Sequence, residues 1–254
     1  MSFRVAIPAR YGASRLPGKP LVMIAGKPLI AHVCARALAS SASEVWVATD
    51  DERIAAACTP LGVKVAMTST AYASGTDRIA ELAAREGWAA DEIVLNLQGD
   101  EPLMPPHAID VTAGALAAAP QAAMSTLAVR LFDEESFRDP HVVKLVTDLA
   151  GYALYFSRAP LPRPREPLSG VPAQALRHVG LYGFRVATLA RLALEPPCDL
   201  ERAEGLEQLR ALWLGLRIRV EVVDEVPMAS VDTPADVKHV ERLIANGRET
   251  GLLT

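Results

Sequence analysis

The stretch from Arg4 to Leu21, RVAIPARYGASRLPGKPL, decides the fold of this chain. Its apolar start, Arg4–Pro8, is typical of a buried strand. The Gly/Pro-rich segment that follows as far as Leu21 predicts a loop, and the apolar period of Pro28–Ala39 predicts an amphipathic helix. A strand, a loop and a helix in this order begin a β-α-β pattern.

The same alternation continues through the first hundred or so residues. Strands are predicted at Glu44–Ala48, Val63–Met67 and Ile93–Leu97, with helices at Glu52–Cys58 and Thr76–Glu86 between them. This rhythm predicts a parallel sheet, so ligand-binding groups should lie outside the carboxyl ends of its strands.

The second half of the chain has more strands and fewer helices. Strands are predicted at Met124–Val129, Val142–Val146, Tyr152–Phe156, His178–Phe184 and Arg219–Val223, helices at Ala203–Leu214 and Pro234–Asn246, and a surface loop at Ala159–Pro172. We therefore predict a single α/β domain over residues 1–254, with a Rossmann-like, mostly parallel sheet flanked by helices. Residues 124–200, approximately, should form a smaller mixed or antiparallel lobe.

Composition excludes several classes of protein. The net charge of -4 and the pI near 5.8 provide no basic field for DNA or RNA, so no nucleic-acid partner is expected. No window of about eighteen apolar residues and no signal peptide is apparent, which predicts a soluble cytoplasmic protein without a membrane association. The three cysteines form no close pair and are expected to fill the core in a reducing compartment.

The first loop concentrates positive charge at the end of a strand. It carries Arg10, Arg15 and Lys19 together with Gly12 and Gly18, a set that can wrap a triphosphate. The spacing fits neither a Walker A loop nor a GxGxxG dinucleotide fingerprint. From these residues alone, an ordinary turn with solvated cations is an equally good interpretation.

Asp100 and Asp232 are candidate metal ligands. Each follows a strand and precedes a helix, so both carboxylates could face one crevice and bind Mg²⁺ through oxygen. The alternative for Asp232 is a helix N-cap followed by Pro234 at the first helical position, and the alternative for Asp100 is a simple turn.

Other polar residues have structural alternatives as well. Ser74 could cap the helix that Gly75 and Arg78 help to begin. His178 and Tyr182 share one face of a strand that could be core. Glu207 and Gln208 would by themselves be interpreted as a solvated helix face.

The string IPARYGASRLPGKPL resembles the signature loop of sugar nucleotidyltransferases, and specifically that of the CMP-Kdo synthetase (3-deoxy-manno-octulosonate cytidylyltransferase) family. Further motifs follow in the family's order: ATDD at Ala48–Asp51, SGTDR at Ser74–Arg78, NLQGDEP at Asn96–Pro102, GYALYFSRAPLP at Gly151–Pro162, RHVGLYGFR at Arg177–Arg185, LEQLR at Leu206–Arg210 and VDTPADV at Val231–Val237. The resemblance therefore extends over essentially the whole chain.

The resemblance implies transfer of CMP from CTP to the acid sugar 3-deoxy-manno-octulosonate (Kdo), with Mg²⁺ as cofactor, for lipopolysaccharide biosynthesis by a homodimer paired through the smaller lobe. The residues it implies for CTP are Ala9, Arg10, Arg15, Lys19, Ser74, Gly75, Arg78 and Gln98. Those for Kdo are Gln98, Arg158, His178, Tyr182, Glu207 and Gln208. The metal ligands are Asp100 and Asp232, which with Arg10 and Lys19 form the catalytic set.

Two alternatives stay open at this point. Cytidylyl transfer to the 8-amino analogue of Kdo would use the same residues, whereas the RLPGK loop disfavours a sialic acid. A non-catalytic nucleotide-binding module on the same fold is the second alternative. The presence of Lys19, Asp100 and Asp232 together argues against that module.

Overall fold

The computed structural model describes residues 2–12, 16–72, 74–165, 170–224, 226 and 230–250. The strands are β1 Arg4–Ala9, β2 Met23–Ile24, β3 Lys27–Pro28, β4 Glu44–Thr49, β5 Lys64–Met67, β6 Ile93–Asn96, β7 Met124–Arg130, β8 Lys144–Thr147, β9 Ala153–Ser157, β10 Leu176–Arg185 and β11 Ile218–Val223. The α-helices are α1 Leu29–Leu38, α2 Glu52–Cys58, α3 Gly75–Arg85, α4 Pro106–Ala117, α5 Glu134–Arg138, α6 Val186–Leu194, α7 Asp199–Glu204, α8 Gln208–Trp213 and α9 Pro234–Thr250.

The chain divides into two compact units. The first unit comprises Ser2–Trp88, Val94–Asp110 and Pro227–Thr254, and the second unit comprises Ala89–Ile93 and Val111–Val226.

The first unit is built on parallel strands in the order β6-β1-β4-β5. The middle of β1 is fully buried, as expected for a strand with neighbours on both sides and helices on its faces. Helix α1 buries Leu29, Ile30, Val33 and Cys34, whose spacing places them on one face of the helix. The carboxyl ends of β1, β4 and β6 lie at one edge, so the loops that follow them are neighbours.

The second unit is built on a mixed set of strands. Strand β11 pairs with β7 in parallel, whereas β7 with β10, β10 with β8, and β8 with β9 are all antiparallel. The predicted α/β class, with a parallel region and a mixed region, is confirmed. The limits of residues 124–200 for the lobe, and its dimer contacts, stay predictions.

The prediction of one helix over Ala203–Leu214 was wrong. The structure has α7 and α8 there, and Gly205 between them adopts a left-handed backbone with φ 61° that ends α7. Helices α4 and α6 were not predicted at all. Helix α4 is rich in alanine, and its buried face includes Thr112, so the difference in hydrophobicity between its two faces is small.

The cysteines and the helix lengths bear on the kind of protein that the sequence predicts. Cys34, Cys58 and Cys198 are buried thiols without a disulfide, as expected for core residues. Within the described ranges, every helix is too short or too polar to cross a membrane.

Candidate active site

A cavity of about 240 Å³ lies in the first unit at the carboxyl ends of its parallel strands. The loop after β1, the start of α3, the turn after β6 and the segment before α9 supply its walls. The lining residues are Pro8, Ala9, Arg10, Leu16, Lys19, Pro20, Tyr72, Ser74, Gly75, Arg78, Gln98, Gly99, Asp100 and Asp232.

Two glycines allow these walls to approach the end of β1. A Cβ atom on Gly99 would lie 2.8 Å from the Pro8 carbonyl oxygen, and one on Gly75 would lie 2.9 Å from Pro8 Cγ. Both distances are too short for a Cβ contact, so both positions require glycine. The SGTDR and NLQGDEP motifs therefore carry their glycines to let three segments meet at one point.

Lys19 connects the first loop to both candidate metal ligands. Its Nζ donates to Asp100 Oδ2 at 2.6 Å and to Asp232 Oδ1 at 3.1 Å. The two carboxylates are 81 and 213 residues from Lys19 in sequence, and the fold brings them to one ammonium group. The prediction that Asp100 and Asp232 face the same crevice is confirmed.

The backbone explains how Asp232 reaches this position. The Val231 N–H donates to the Asp100 carbonyl at 2.9 Å, which places the segment before α9 beside the turn after β6. The cap of α9 is formed by Thr233 and Asp236: Asp236 Oδ2 accepts from the Thr233 N–H at 2.7 Å and from its hydroxyl at 2.9 Å. The N-cap alternative for Asp232 is therefore wrong, because its neighbours form the cap while its own carboxylate accepts from Lys19.

The electrostatics of this cluster favour a charged lysine. Burial lowers the pKa of Lys19, but the charges and hydrogen bonds of Asp100 and Asp232 outweigh it, and the net effect raises the pKa. Two carboxylates that converge on one cation form a donor set that fits Mg²⁺, which takes one or two protein carboxylates and completes its shell with phosphate and water oxygens. Asp100 and Asp232 are thus the residues that could hold such an ion.

Arg78 is held by an ion pair that the sequence did not reveal. Its guanidinium donates to Asp50 Oδ2 at 2.8 Å and also to the Thr68 hydroxyl, and the Arg78 side chain is only 3% exposed. Asp50 Oδ1 in turn accepts from the Tyr11 N–H at 3.4 Å. One carboxylate therefore links the first loop to the start of α3. Asp50 directly follows the carboxyl end of β4, beside β1, and this position in the sequence could have identified it as a residue of the site.

The other residues predicted for CTP divide into three groups. Ser74 caps α3, because its hydroxyl accepts from the Asp77 N–H at 3.1 Å, so the structural interpretation of Ser74 is confirmed. Ala9 and Arg10 line the cavity, and Gln98 does so while donating to Asn96 Oδ1 at 3.3 Å. Arg15 lies outside the described residues. Tyr72 also lines the cavity and was not predicted.

The remaining residues predicted for Kdo belong to the second unit. His178 and Tyr182 do share a face of β10, with ring centroids 5.2 Å apart, and His178 also meets Phe156 edge to face at 5.2 Å. Burial lowers the pKa of His178 to about 3, with a smaller effect of Arg177, so its imidazole is neutral at physiological pH. Burial raises the pKa of Tyr182 well above its ordinary value, and Glu207 adds to this shift.

Arg158 lies at the end of β9 and is anchored through the backbone. Its Nε donates to the Glu204 carbonyl at 2.6 Å and a terminal nitrogen donates to the Pro140 carbonyl at 2.9 Å. The Glu204 carboxylate accepts from the Arg158 N–H at 2.9 Å. These contacts use two of the five guanidinium N–H donors, which leaves the side chain capable of binding an anion.

Glu207 and Gln208 stand at the start of α8. Glu207 pairs with Arg210 at 3.4 Å. Gln208 is only 5% exposed, and its Nε2 has no hydrogen-bond partner among the described residues. The expectation of a solvated face is wrong for Gln208, because a buried amide donor without a partner is costly unless a ligand satisfies it.

The chain matches the cytidylyltransferase family model over residues 5–218. It belongs to that family, which agrees with a cavity where cations and two carboxylates gather beside parallel strands. Similar proteins indicate which branch of the cytidylyltransferase family the chain resembles. It is 51% identical over 248 residues to 3-deoxy-manno-octulosonate cytidylyltransferase of Thioalkalivibrio sulfidiphilus (strain HL-EbGR7), covering 96% of this chain and 99% of the relative.

A second relative and one solved structure agree with this assignment, and a further solved structure shares the fold alone. The enzyme of the same name from Stenotrophomonas maltophilia (strain K279a) is 52% identical, with 95% of this chain and 96% of the relative covered. The structure of CMP:2-keto-3-deoxy-manno-octonic acid synthetase complexed with CTP superposes with a TM-score of 0.87 at 41% identity, covering 96% of this chain and 98% of that chain. A cytidylyltransferase from Leptospira borgpetersenii, at 14% identity and a TM-score of 0.62 with 99% and 95% covered, shares the fold. The chain is thus a member of the 3-deoxy-manno-octulosonate cytidylyltransferase family.

Proposed function

We propose that this protein transfers CMP from CTP to Kdo, giving CMP-Kdo and diphosphate. The observation that carries the proposal is the contact of Lys19 with both Asp100 and Asp232 inside the cavity of the first unit. A phosphate-neutralising cation and two metal-binding carboxylates at one point are what nucleotidyl transfer requires. Relatives of about 50% identity over nearly the whole chain carry the name of this activity.

CTP is expected to occupy the cavity of the first unit. Arg10 at its rim and Lys19 on its wall would oppose the negative charge of the triphosphate, and Arg15 is predicted to join them. The buried start of α3, fixed by Ser74 and by the Arg78–Asp50 pair, offers a rigid wall for the nucleoside. Positioning of this kind reduces the entropy that the reaction must lose.

Magnesium dependence is part of the proposal. Asp100 and Asp232 would hold the ion, and when bound it would supply charge neutralisation on phosphate and a lower pKa for the attacking hydroxyl. The Lys19 ammonium lies on these carboxylates in the structure, so Lys19 would shift from them toward phosphate oxygen when CTP and the metal bind.

Kdo is expected to use Arg158, His178, Tyr182, Glu207 and Gln208 of the second unit. The Nε2 of Gln208, which has no acceptor among the residues that the structure describes, supports this assignment, because it offers a donor for a sugar hydroxyl or carboxylate oxygen. Arg158 offers the positive charge that an acid sugar needs. His178 is neutral and would act as a hydrogen-bonding group without adding charge.

The reaction is a single in-line displacement. The anomeric hydroxyl oxygen of Kdo forms a bond to the α-phosphorus of CTP, the bond to the diphosphate oxygen breaks, and the hydroxyl proton is released to solvent. No covalent enzyme intermediate is needed. Lys19 and Arg10 stabilise the charge that develops on the triphosphate oxygens, and the rigid walls of the cavity keep the reacting atoms aligned.

The experiment is diphosphate release from CTP, measured with Kdo, with its 8-amino analogue and with N-acetylneuraminate, each with Mg²⁺ and with EDTA. Release with Kdo alone, abolished by EDTA and restored by Mg²⁺, is the expected result. Release only with the amino sugar would change the substrate and keep the mechanism. If the protein binds CTP but releases no diphosphate with any acceptor, the proposed enzyme activity would be wrong, and the protein would be a non-catalytic nucleotide-binding module.

We extend the proposal to the cellular context. The protein is expected to act in the cytoplasm, as a homodimer, in the supply of CMP-Kdo for lipopolysaccharide. Sedimentation equilibrium of the purified chain tests the dimer: a mass of twice 27.1 kDa is expected, and a mass of 27.1 kDa would refute it. Cell fractionation followed by the diphosphate assay tests the location.

A further inference from the structure

Lys144 of the second unit is a lysine with an unusually buried side chain. Its side chain is fully buried, although lysine is among the residues least often buried without a charged partner. Its ammonium donates to three backbone carbonyls: Asp139 at 2.8 Å, Arg158 at 2.8 Å, and Val142. An ammonium has three N–H donors, so the three carbonyls account for all of them.

The three carbonyls that accept from Lys144 all lie close in sequence to the two partners of one hydrogen bond, Arg158 and Pro140. Asp139 and Val142 flank Pro140, whose own carbonyl accepts from the Arg158 guanidinium at 2.9 Å. The third carbonyl belongs to Arg158 itself. The buried Lys144 ammonium therefore fixes both partners of the hydrogen bond between Arg158 and Pro140. It holds the main chain at Arg158, which carries the donor, and the segment 139–142, which contains the acceptor.

The same guanidinium is also tied to the end of α7. Its Nε donates to the Glu204 carbonyl at 2.6 Å, and the Glu204 carboxylate accepts from the Arg158 N–H at 2.9 Å and from the Ser157 hydroxyl at 2.7 Å. Glu204 lies just before the turn that leads to Glu207 and Gln208. The orientation of Arg158 is thus set relative to these two residues of the second unit.

We infer that Lys144 is a positioning residue for binding of the sugar acid: it holds Arg158 in the orientation that meets the acid's carboxylate. The inference rests on the proposed function, because it presupposes that Arg158 receives that carboxylate. Lys144 makes no contact of its own with the substrate. It acts through the main chain at residues 139–142 and 158, and its loss leaves Arg158 present but poorly oriented.

The main test is Lys144→Met, which keeps the length of the side chain and removes its donors. We expect the KM for Kdo to rise about tenfold, as for the loss of a charge-assisted hydrogen bond, with the KM for CTP within about twofold of the parent. Leu189→Ala is the matched control, because Leu189 is a buried residue of α6 in the same unit and should lower stability without changing either KM. Equal rises for Kdo and CTP, or no rise, would overturn the inference.

A double-mutant cycle separates positioning from a general structural role. If Lys144 acts through Arg158, then Lys144→Met should change the KM for Kdo little once Arg158→Ala is present. Additive effects of the two substitutions would contradict the inference. Should Lys144→Met fail to fold, Lys144→Gln, which keeps two donors, carries the same cycle with a smaller expected rise. Activity of the parent with Kdo is measured alongside, so failure of the proposed function would be seen there and not in the variants.

Discussion

The two units of this protein hold their polar groups in different ways. In the first unit, cations meet carboxylates: Lys19 contacts Asp100 and Asp232, and Arg78 contacts Asp50. In the second unit, Lys144 donates to backbone carbonyls, His178 contacts aromatic rings and a hydroxyl, and Gln208 has a buried donor that meets no acceptor within the described part of the chain. The Lys19 and Arg78 clusters thus balance charge locally, whereas Lys144, His178 and Gln208 are buried with little compensating charge. Arg210 of the second unit is an exception, because it pairs with Glu201 at 3.0 Å.

This difference matches the ligands that the two sets are proposed to bind. A triphosphate with a metal ion brings many charges of both signs, so a cluster of paired charges can exchange partners when the ligand arrives. A sugar acid brings one charge and many hydroxyls, so directed donors in fixed positions are more useful than net charge. We therefore expect substitutions in the Lys19 cluster to reduce catalysis more than stability, and substitutions in the second unit to affect both.

The largest effect is expected for Lys19→Ala. Loss of one well-placed charge on the reacting phosphate should lower turnover about a hundredfold or more, by analogy with the removal of an oxyanion-hole donor. Steady-state diphosphate release measures it, and Lys27→Ala, at an exposed lysine of the same unit, is the control. Turnover within a few-fold of the parent would mean that Lys19 only neutralises Asp100 and Asp232.

A smaller effect is expected for Asp50→Asn, which breaks the charge pairing of Arg78 and keeps its shape. The Arg78 guanidinium would stay buried without a counter-charge, so the free energy of unfolding should fall by about 2 kcal/mol. The KM for CTP should rise as well, because the Tyr11 N–H and the Arg78 guanidinium donate to different oxygens of Asp50, and an amide keeps only one acceptor oxygen. Chemical denaturation and initial-rate kinetics measure the two effects.

Asp110→Asn serves as the control for this substitution, since Asp110 accepts from Ser41 in the same unit and is not part of the cavity. Unchanged stability of Asp50→Asn would show that the Arg78–Asp50 pair contributes nothing net. The contrast between the charge-paired Arg78 of the first unit and the carbonyl-paired Lys144 of the second unit would then have no energetic basis.

Much of the first unit could be predicted from sequence. Strands β1, β4, β5 and β6 lie within one or two residues of their predicted limits, because each is a short apolar run between polar turns. The rule that parallel strands end at one edge then brings the loop after β1 and the turn after β6 together. Asp232 is farther along the chain; its position between a strand and a helix suggested the same crevice, and the family resemblance added the metal-binding role.

The second unit could be predicted less well, for reasons that particular residues illustrate. Gly205 interrupts a continuous helical pattern, and one glycine in such a pattern does not by itself indicate a break. From the sequence, Lys144 would be interpreted as an exposed charge within a strand. Its three acceptors are backbone carbonyls, which every residue has, so no residue type indicates them. In the first unit, by contrast, the pairing of Asp50 with Arg78 was missed, because it depends on the packing of α3.

An intermediate effect is expected for the pH dependence of stability. The pKa of His178 is about 3 in the folded protein and near 6.5 when unfolded, so the unfolded state binds more protons between these values. Stability from neutral His178 is complete above about pH 6.5 and is lost as the pH falls, by up to about 1.4 kcal/mol per unit. Urea unfolding of the parent and of His178→Gln at pH 6.5, 5.5 and 4.8 should show a steeper loss in the parent.

Glu44 of the first unit provides the comparison for this measurement. Hydrogen bonds from Lys64, Trp46 and Arg4 lower the pKa of Glu44 to about 2, so its contribution is present above about pH 4.5 and is lost below that. The pH range of 6.5 to 4.8 therefore excludes the effect of Glu44, and the difference between the parent and His178→Gln separates His178 from the other four histidines. Parallel slopes for the parent and His178→Gln in this range would show that His178 is not buried in its neutral form.

The smallest effect is expected for Arg53→Ala. The Arg53 guanidinium lies 3.5 Å above the ring of Tyr11 and pairs with Asp51 at 2.7 Å, and its side chain is mostly exposed. Its loss should raise the KM for CTP by roughly two- to fivefold and leave turnover unchanged, because exposed cation–π contacts are weak. Arg53→Lys, which keeps the cation, is the control. A tenfold or larger rise would mean that an exposed cation orders the first loop as strongly as the buried Asp50 does, and the distinction between buried and exposed charge within the first unit would have to be abandoned.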